Sequence, residues 1–138
     1  MKKRKLFITA FDKDRLDDML AEAKQLSGHD RQDLDELATE LERAKVVKPE
    51  KIPANVVTLN SQILVRDLDK DEEKQYRLVF PDKADISKGL ISVLAPVGTA
   101  VLGYCEGDEV EWQVPAGTRR FRIEKVLYQP EAAGHFHL

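Results

Sequence analysis

Ile91 to Val114, reading ISVLAPVGTAVLGYCEGDEVEWQV, is the stretch that most restricts the fold. It calls for a short strand, a helix of one or two turns, a tight turn and a longer strand in quick succession. Ala95-Pro96 ends the first strand, because the residue before a proline is pushed out of the α region. Pro96 suits the first helical position, where its missing N–H would be unbonded anyway. Gly103 can take the left-handed conformation that closes a helix, and Gly107 supplies the turn. Val110, Trp112 and Val114 then alternate with Glu109, Glu111 and Gln113, the mark of a half-buried strand.

Strands on either side complete a sheet. Ile63 and Val65 alternate within residues 62–68, and Asp69-Lys70-Asp71-Glu72 makes a polar turn. Tyr76, Leu78 and Phe80 alternate next, Pro81 stops them, and residues 81–90 read as a polar loop. Pro115-Ala116-Gly117-Thr118 predicts a hairpin turn before a strand from Arg119 to Tyr128. The apolar positions of that strand change parity between Phe121, Ile123 and Val126, Tyr128. A change of parity predicts a bulge near Glu124-Lys125. The end, from Gln129 to Leu138, has no periodicity.

The first third of the chain has helical spacing. Leu16, Met19, Ala23 and Leu26 place one apolar stripe on residues 12–27, with Thr9 as N-cap and Asp12 three residues on. Ser27-Gly28-His29-Asp30 predicts a turn, and Asp30 can cap the next helix. Leu34, Leu37, Leu41 and Ala44 repeat the stripe across residues 31–46. Two narrow stripes joined by a short turn predict an antiparallel helical hairpin, a short coiled coil. Such a pair buries little, so one face is expected to lean on the sheet. Leu6-Phe7-Ile8 reads as a short strand or a cap on the hairpin base. Lys48-Pro49-Glu50-Lys51-Ile52-Pro53 carries two prolines and reads as a stiff linker. The chain is thus predicted to be α+β, a short helical hairpin over residues 1–47 and a sheet with one short helix over residues 48–138.

Charge limits the partners. The 138 residues have a formal net charge of −3, with 34% charged and 42% apolar residues. Residues 12–45 hold eleven acids against six bases, about −5, which argues against nucleic-acid binding by the hairpin itself. No apolar run approaches the roughly 20 residues that span a bilayer. The basic start, residues 1–5, reads as a solvated tail or a small contact for an acidic partner. Cys105 is the single cysteine, which points to a reducing cytoplasm.

The central stretch also resembles the C-terminal domain of the bacterial GreA/GreB transcription elongation factors. Their pattern runs roughly I-S-x-x-S-P-x-x-x-A-L-L-G-x-x-x-G-D. Ile91, Ser92, Pro96, Ala100, Leu102, Gly103, Gly107 and Asp108 fit it, while Leu94 and Ala95 replace an acidic or amide residue and a serine. The segments PANVVTLNSQ, APVGTAVLG and YQPEAAG resemble a narrower group, the regulators of nucleoside diphosphate kinase, Gre-like proteins with a shortened hairpin. The resemblance implies an FKBP-like fold for residues 48–138. It implies RNA polymerase as partner, met at the rim of the secondary channel, and no cofactor. It implies docking through the segment around the proline, here Ser92, Leu94, Ala95 and Pro96. It further implies competition with Gre factors without transcript cleavage, and an indirect effect on nucleoside diphosphate kinase. A monomer is expected.

Other chemistry is thin. Asp33 and Glu36 are three apart near the hairpin tip and share a helix face. Gre factors carry a D-x-x-E pair at their tip, where it helps bind the second catalytic magnesium of the polymerase. Here Leu37-Ala38-Thr39-Glu40 replaces the asparagine-alanine-glutamate-tyrosine that follows in Gre factors. Sixteen residues also reach only roughly 24 Å, so the pair reads as a solvated acidic face, and true transcript cleavage as an alternative. His135 and His137 flank Phe136 without a third metal ligand, and His29 reads as a loop residue. Cys105 lacks a base partner in the sequence. Arg119, Arg120 and Arg122 form a modest basic cluster, with Arg120 and Arg122 outward. Peptidyl-prolyl isomerisation is a further alternative suggested by the fold, but Tyr76, Phe80, Trp112, Phe121 and Tyr128 fit core positions better than a pocket. The expectation is a binding protein, not an enzyme.

Overall fold

The computed structural model describes residues 6–27, 32–114 and 117–135, with backbone alone at 26, 27, 32, 33 and 112–114. It is a mixed α+β structure with helices first and a sheet after. Strand β1 (Phe7–Thr9) runs into α1 (Ala10–Ser27), then α2 (Gln32–Arg43) and β2 (Lys45–Val47). The sheet is built from β3 (Gln62–Asp67), β4 (Glu72–Val79), β5 (Leu90–Ser92), β6 (Glu109–Val114) and β7 (Gly117–Tyr128). Helix α3 (Pro96–Val101) sits between β5 and β6.

Thr9 starts α1 as expected: its Oγ1 accepts the Asp12 N–H at 3.0 Å, which occupies one of the orphan donors of the first turn. The two helices pack on each other, with Leu16, Leu34, Leu37 and Leu41 all but fully buried. Leu20 is buried as well, whereas Met19 and Ala23 are only partly so. The stripe on α1 therefore lies one residue round from the spacing read above. The Leu26 side chain, His29 and Asp30 lie outside the described residues.

The second helix stops at Arg43, three residues short of the expected end. Lys45, Val46 and Val47 leave it to pair in parallel with Phe7, Ile8 and Thr9. β-branched valines favour the extended chain once the helix no longer buries them. These two short strands tie the base of the helical pair together.

The sheet order is β5-β4-β3-β7-β6. It is antiparallel except at its edge, where β5 runs parallel to β4. The ten-residue connection from Phe80 to Gly89 is too long for a hairpin turn. It carries two 3₁₀ turns, Pro81–Lys83 and Ile86–Lys88, and brings the chain back in the same direction. The partner of Leu64 is Lys125 and that of Val65 is Ile123, so Glu124 is the extra residue of the expected bulge. A second shift skips Leu127 and sets Tyr128 opposite Gln62. Tyr128 thus leaves the core row and lies under the Arg77 guanidinium, 5.1 Å from its ring centroid.

The core is continuous. Ile8, Leu16 and Leu37 from the helical part join Leu59, Ile63 and Ile123 from the sheet in one buried cluster. The helical pair is therefore packed against the sheet, as its small buried area required. The segment after β7 is tied in at Gln129, whose amide donates to the Pro53 and Val56 carbonyls at 2.8 Å each and accepts the Ala132 N–H.

Candidate functional site

Ser92, Leu94, Ala95 and Pro96 form one tight corner between β5 and α3. Val93 is fully buried and anchors it, with its N–H bonded to the Val79 carbonyl at 2.9 Å. The Ser92 Oγ accepts the Leu94 N–H at 3.0 Å, and the Ser92 carbonyl accepts the Ala95 N–H at 3.0 Å. The Thr99 hydroxyl closes the corner by donating to the Val93 carbonyl at 2.7 Å. Ala95 is extended (φ −68°, ψ 150°), as a residue before proline should be, and Pro96 opens α3. Pro96 is exposed, whereas Ser92, Leu94 and Ala95 are half-buried, Leu94 resting on the core.

One residue of this corner escaped the sequence reading. A Cβ on Gly98 would stand 2.1 Å from the Ser92 carbonyl oxygen, so α3 can cross the end of β5 only because residue 98 is glycine. A glycine inside a six-residue helix was the available signal. Gly103 behaves as expected and closes α3 at φ +83°.

The other candidates are scattered. Glu36 is exposed on α2, and Asp33 lies on the same helix with its side chain outside the described residues. The arginine cluster is neutralised rather than free. Arg119 pairs with buried Asp67, Arg120 with Asp69 at 3.2 Å and Arg122 with Glu124 at 2.9 Å. Burial opposes ionisation of Asp67, yet the Lys70 N–H and the Arg119 guanidinium outweigh it and hold the carboxyl below its usual range. The Cys105 thiol donates to Asp108 Oδ2 at 3.3 Å, a partner that a turn of three residues supplies. His135 Nδ1 lies 2.6 Å from the Tyr128 hydroxyl, while His137 lies outside the described residues. Among the described residues, no group of three or more histidine, cysteine, aspartate or glutamate side chains could hold a metal ion. Among them, too, no helix is long and apolar enough to cross a membrane.

The least expected feature is Asp12. It is fully buried where the first turn of α1 meets the loop before β3. Its Oδ2 accepts the Leu59 N–H at 3.1 Å and its Oδ1 accepts from Arg15 at 2.6 Å. Burial pushes the carboxyl up to about 6, Arg15 and Leu59 opposing that rise and the charge of Glu131 adding to it. Glu131 is itself held by the Thr58 hydroxyl at 2.8 Å. The Arg15 guanidinium lies over the Phe11 and Phe80 rings at 4.1 and 5.2 Å. The sequence did hold a signal: Asp12 is four residues before Leu16, on the apolar stripe rather than beside it.

The family described as "Transcription elongation factor, GreA/GreB, C-term" matches residues 52–128, and that described as "Rnk N-terminus" matches residues 4–47. The regulator of nucleoside diphosphate kinase of Escherichia coli (strain K12) is 42% identical over 105 residues, covering 75% of this chain and 77% of that protein. Transcription elongation factor GreA of Thermodesulfovibrio yellowstonii is 38% identical over 96 residues, covering 70% of this chain and 61% of that protein. The solved structure of a transcription elongation factor GreA/GreB from Nitrosomonas europaea superposes with a TM-score of 0.74 at 43% identity. That match covers 90% of this chain and 100% of the other.

Proposed function

The chain belongs to the GreA/GreB family of transcription elongation factors and carries an Rnk N-terminus, and on that premise we propose that it is an RNA polymerase-binding transcription regulator without catalytic activity of its own. It docks at the rim of the secondary channel through Ser92, Leu94, Ala95 and Pro96. Its arm, residues 1–47, is an antiparallel helical hairpin. Its docking domain, residues 48–138, is FKBP-like, with α3 packed against β6.

What supports this reading is the union of a GreA/GreB-type C-terminal part with a short helical arm. Helices of 18 and 12 residues extend only about 27 and 18 Å. Such an arm enters the channel without reaching the active site. The protein then occupies the position that a Gre factor needs and stimulates no cleavage. Asp33 and Glu36 are, on this reading, a solvated acidic face. The protein acts in the cytoplasm as a monomer, and any effect on nucleoside diphosphate kinase is indirect.

The corner at Pro96 suits docking because it is already ordered. Proline fixes φ, and the hydrogen bonds around Ser92, Val93 and Ala95 leave little entropy to lose on binding. The test is retention of purified polymerase by the immobilised protein, repeated with excess Gre factor. Binding that the Gre factor displaces supports the proposal. Binding that persists unchanged at saturating Gre factor places the contact elsewhere and refutes it. Leu94→Asp with Pro96→Gly should weaken retention by about tenfold or more; a thermal melt run alongside separates this from loss of the fold, since Leu94 rests on the core.

A further inference from the structure

Among the described residues, the polar contacts between the helical arm and the sheet domain include one at Asp12 and one at Gly103. The first is Asp12, whose buried carboxylate receives the Leu59 N–H at 3.1 Å. A carboxylate acceptor makes this bond stronger than an amide would, and rotating the arm away would strand a buried donor. The second is Gly103. Its carbonyl accepts the Phe7 N–H at 3.1 Å, and its N–H donates to the Val57 carbonyl at 2.8 Å. Leu6 is buried against it so closely that an added Cβ would stand 2.2 Å from Leu6 Cδ1 and 2.8 Å from the Phe7 carbonyl oxygen. Next door, Arg43 at the end of α2 reaches the Tyr104 hydroxyl at 3.3 Å. These directional contacts add to the apolar core that the arm and the sheet already share.

The second contact has a particular place in the fold. Gly103 follows α3 by two residues, and α3 begins at Pro96. One six-residue helix, about 9 Å long, thus has the docking corner at its start and the socket for the arm at its end. We propose that Asp12 and Gly103 are positioning residues that hold the helical arm in one fixed direction relative to the corner Ser92–Pro96, so that the arm is aimed before any partner is met. The functional consequence rests on the docking reading above; the fixed direction does not.

The test is made on the full chain without polymerase. In a Cys105→Ser background, exposed Glu22 on α1 and exposed Lys125 on β7 are changed to cysteine and spin-labelled. The distance distribution should show a single narrow peak. Asp12→Ala and Gly103→Ala should each broaden it at least about twofold, whereas Asp12→Asn should keep it narrow, because the amide oxygen still accepts the Leu59 N–H. The proposal is overturned if either broadening variant, folded by its melt, keeps the parent width. It is equally overturned if Asp12→Asn is as broad as Asp12→Ala. Should Asp12→Ala not fold, hydrogen exchange on the unmodified protein decides: the Leu59 amide should exchange at least about 100-fold more slowly than an open chain, and exchange at the open-chain rate sinks the idea. A narrow, Asp12-dependent peak in a protein that fails to bind polymerase would remove the proposed function and leave the fixed arm standing.

Discussion

Replacing Asp12 by asparagine should favour the folded protein more at neutral pH than at acid pH. In the folded chain burial raises this carboxyl from 3.8 to about 6. A raised carboxyl means that the folded state holds its proton after the unfolded state has lost it. Below about pH 4 both states are largely protonated, and Asp12 resembles the neutral amide. Between about 4 and 6 the unfolded state ionises first, so stability falls as pH rises. Above 6 both states are ionised and the full penalty applies, about 3 kcal/mol for a rise of this size. The amide also brings an NH₂ that must face one of two donors, the Leu59 N–H or Arg15. That cost does not vary with pH and cancels in a difference. Asp67 and Glu124, whose carboxyls are held low, contribute stability that is lost as pH falls; both proteins contain them, so they cancel too. Urea unfolding of the two proteins at about pH 4 and pH 7.5 gives the difference directly. The asparagine variant should gain about 2–3 kcal/mol on the parent between those two values. A difference constant to within about 0.5 kcal/mol, or one of opposite sign, would show that Asp12 is not ionised under strain at this junction.

Three further outcomes follow from the packing and the tip. Leu37→Ala should cost about 2–5 kcal/mol, because Leu37 is fully buried between the helices and the sheet; a loss below about 1 kcal/mol in a urea melt would remove it from the core. Gly98→Ala should cost about 1–3 kcal/mol or more, since its Cβ meets the Ser92 carbonyl at 2.1 Å; a melt like that of the parent would show that the corner yields freely. Asp33→Ala with Glu36→Ala should leave polymerase binding within about twofold, and a tenfold loss, about 1.4 kcal/mol, would give the tip a role in docking.

Local rules carried the sequence reading where the structure is local. The bounds of β6, the Thr9 cap, the closure of α3 at Gly103 and the bulge at Glu124 each follow from a few adjacent residues. What escaped was decided by residues distant in the chain. Strand β2 exists because Val46 and Val47 find Ile8 and Thr9 some forty residues earlier, and no turn signal marks the change from helix to strand. Asp12 read only as the residue three on from the Thr9 cap, while its Oδ2 answers to Leu59, 47 residues away in the chain. Residues 129–135, aperiodic in sequence, are packed because Gln129 meets Pro53 and Val56. The corner at Ser92–Pro96 was legible through its proline, but the reason it can form, the missing side chain at Gly98, depends on the carbonyl of Ser92 across the turn.

The central claim is that this protein occupies the Gre position on polymerase and does not act there. Backtracked polymerase carrying labelled RNA tests it most directly. Added alone, the protein should release no cleavage product; added in rising amounts to a fixed level of Gre factor, it should suppress the Gre-stimulated product in proportion to occupancy. Cleavage by the protein alone, abolished by Asp33→Ala with Glu36→Ala, or Gre-stimulated cleavage that persists undiminished at saturating protein, would contradict the account.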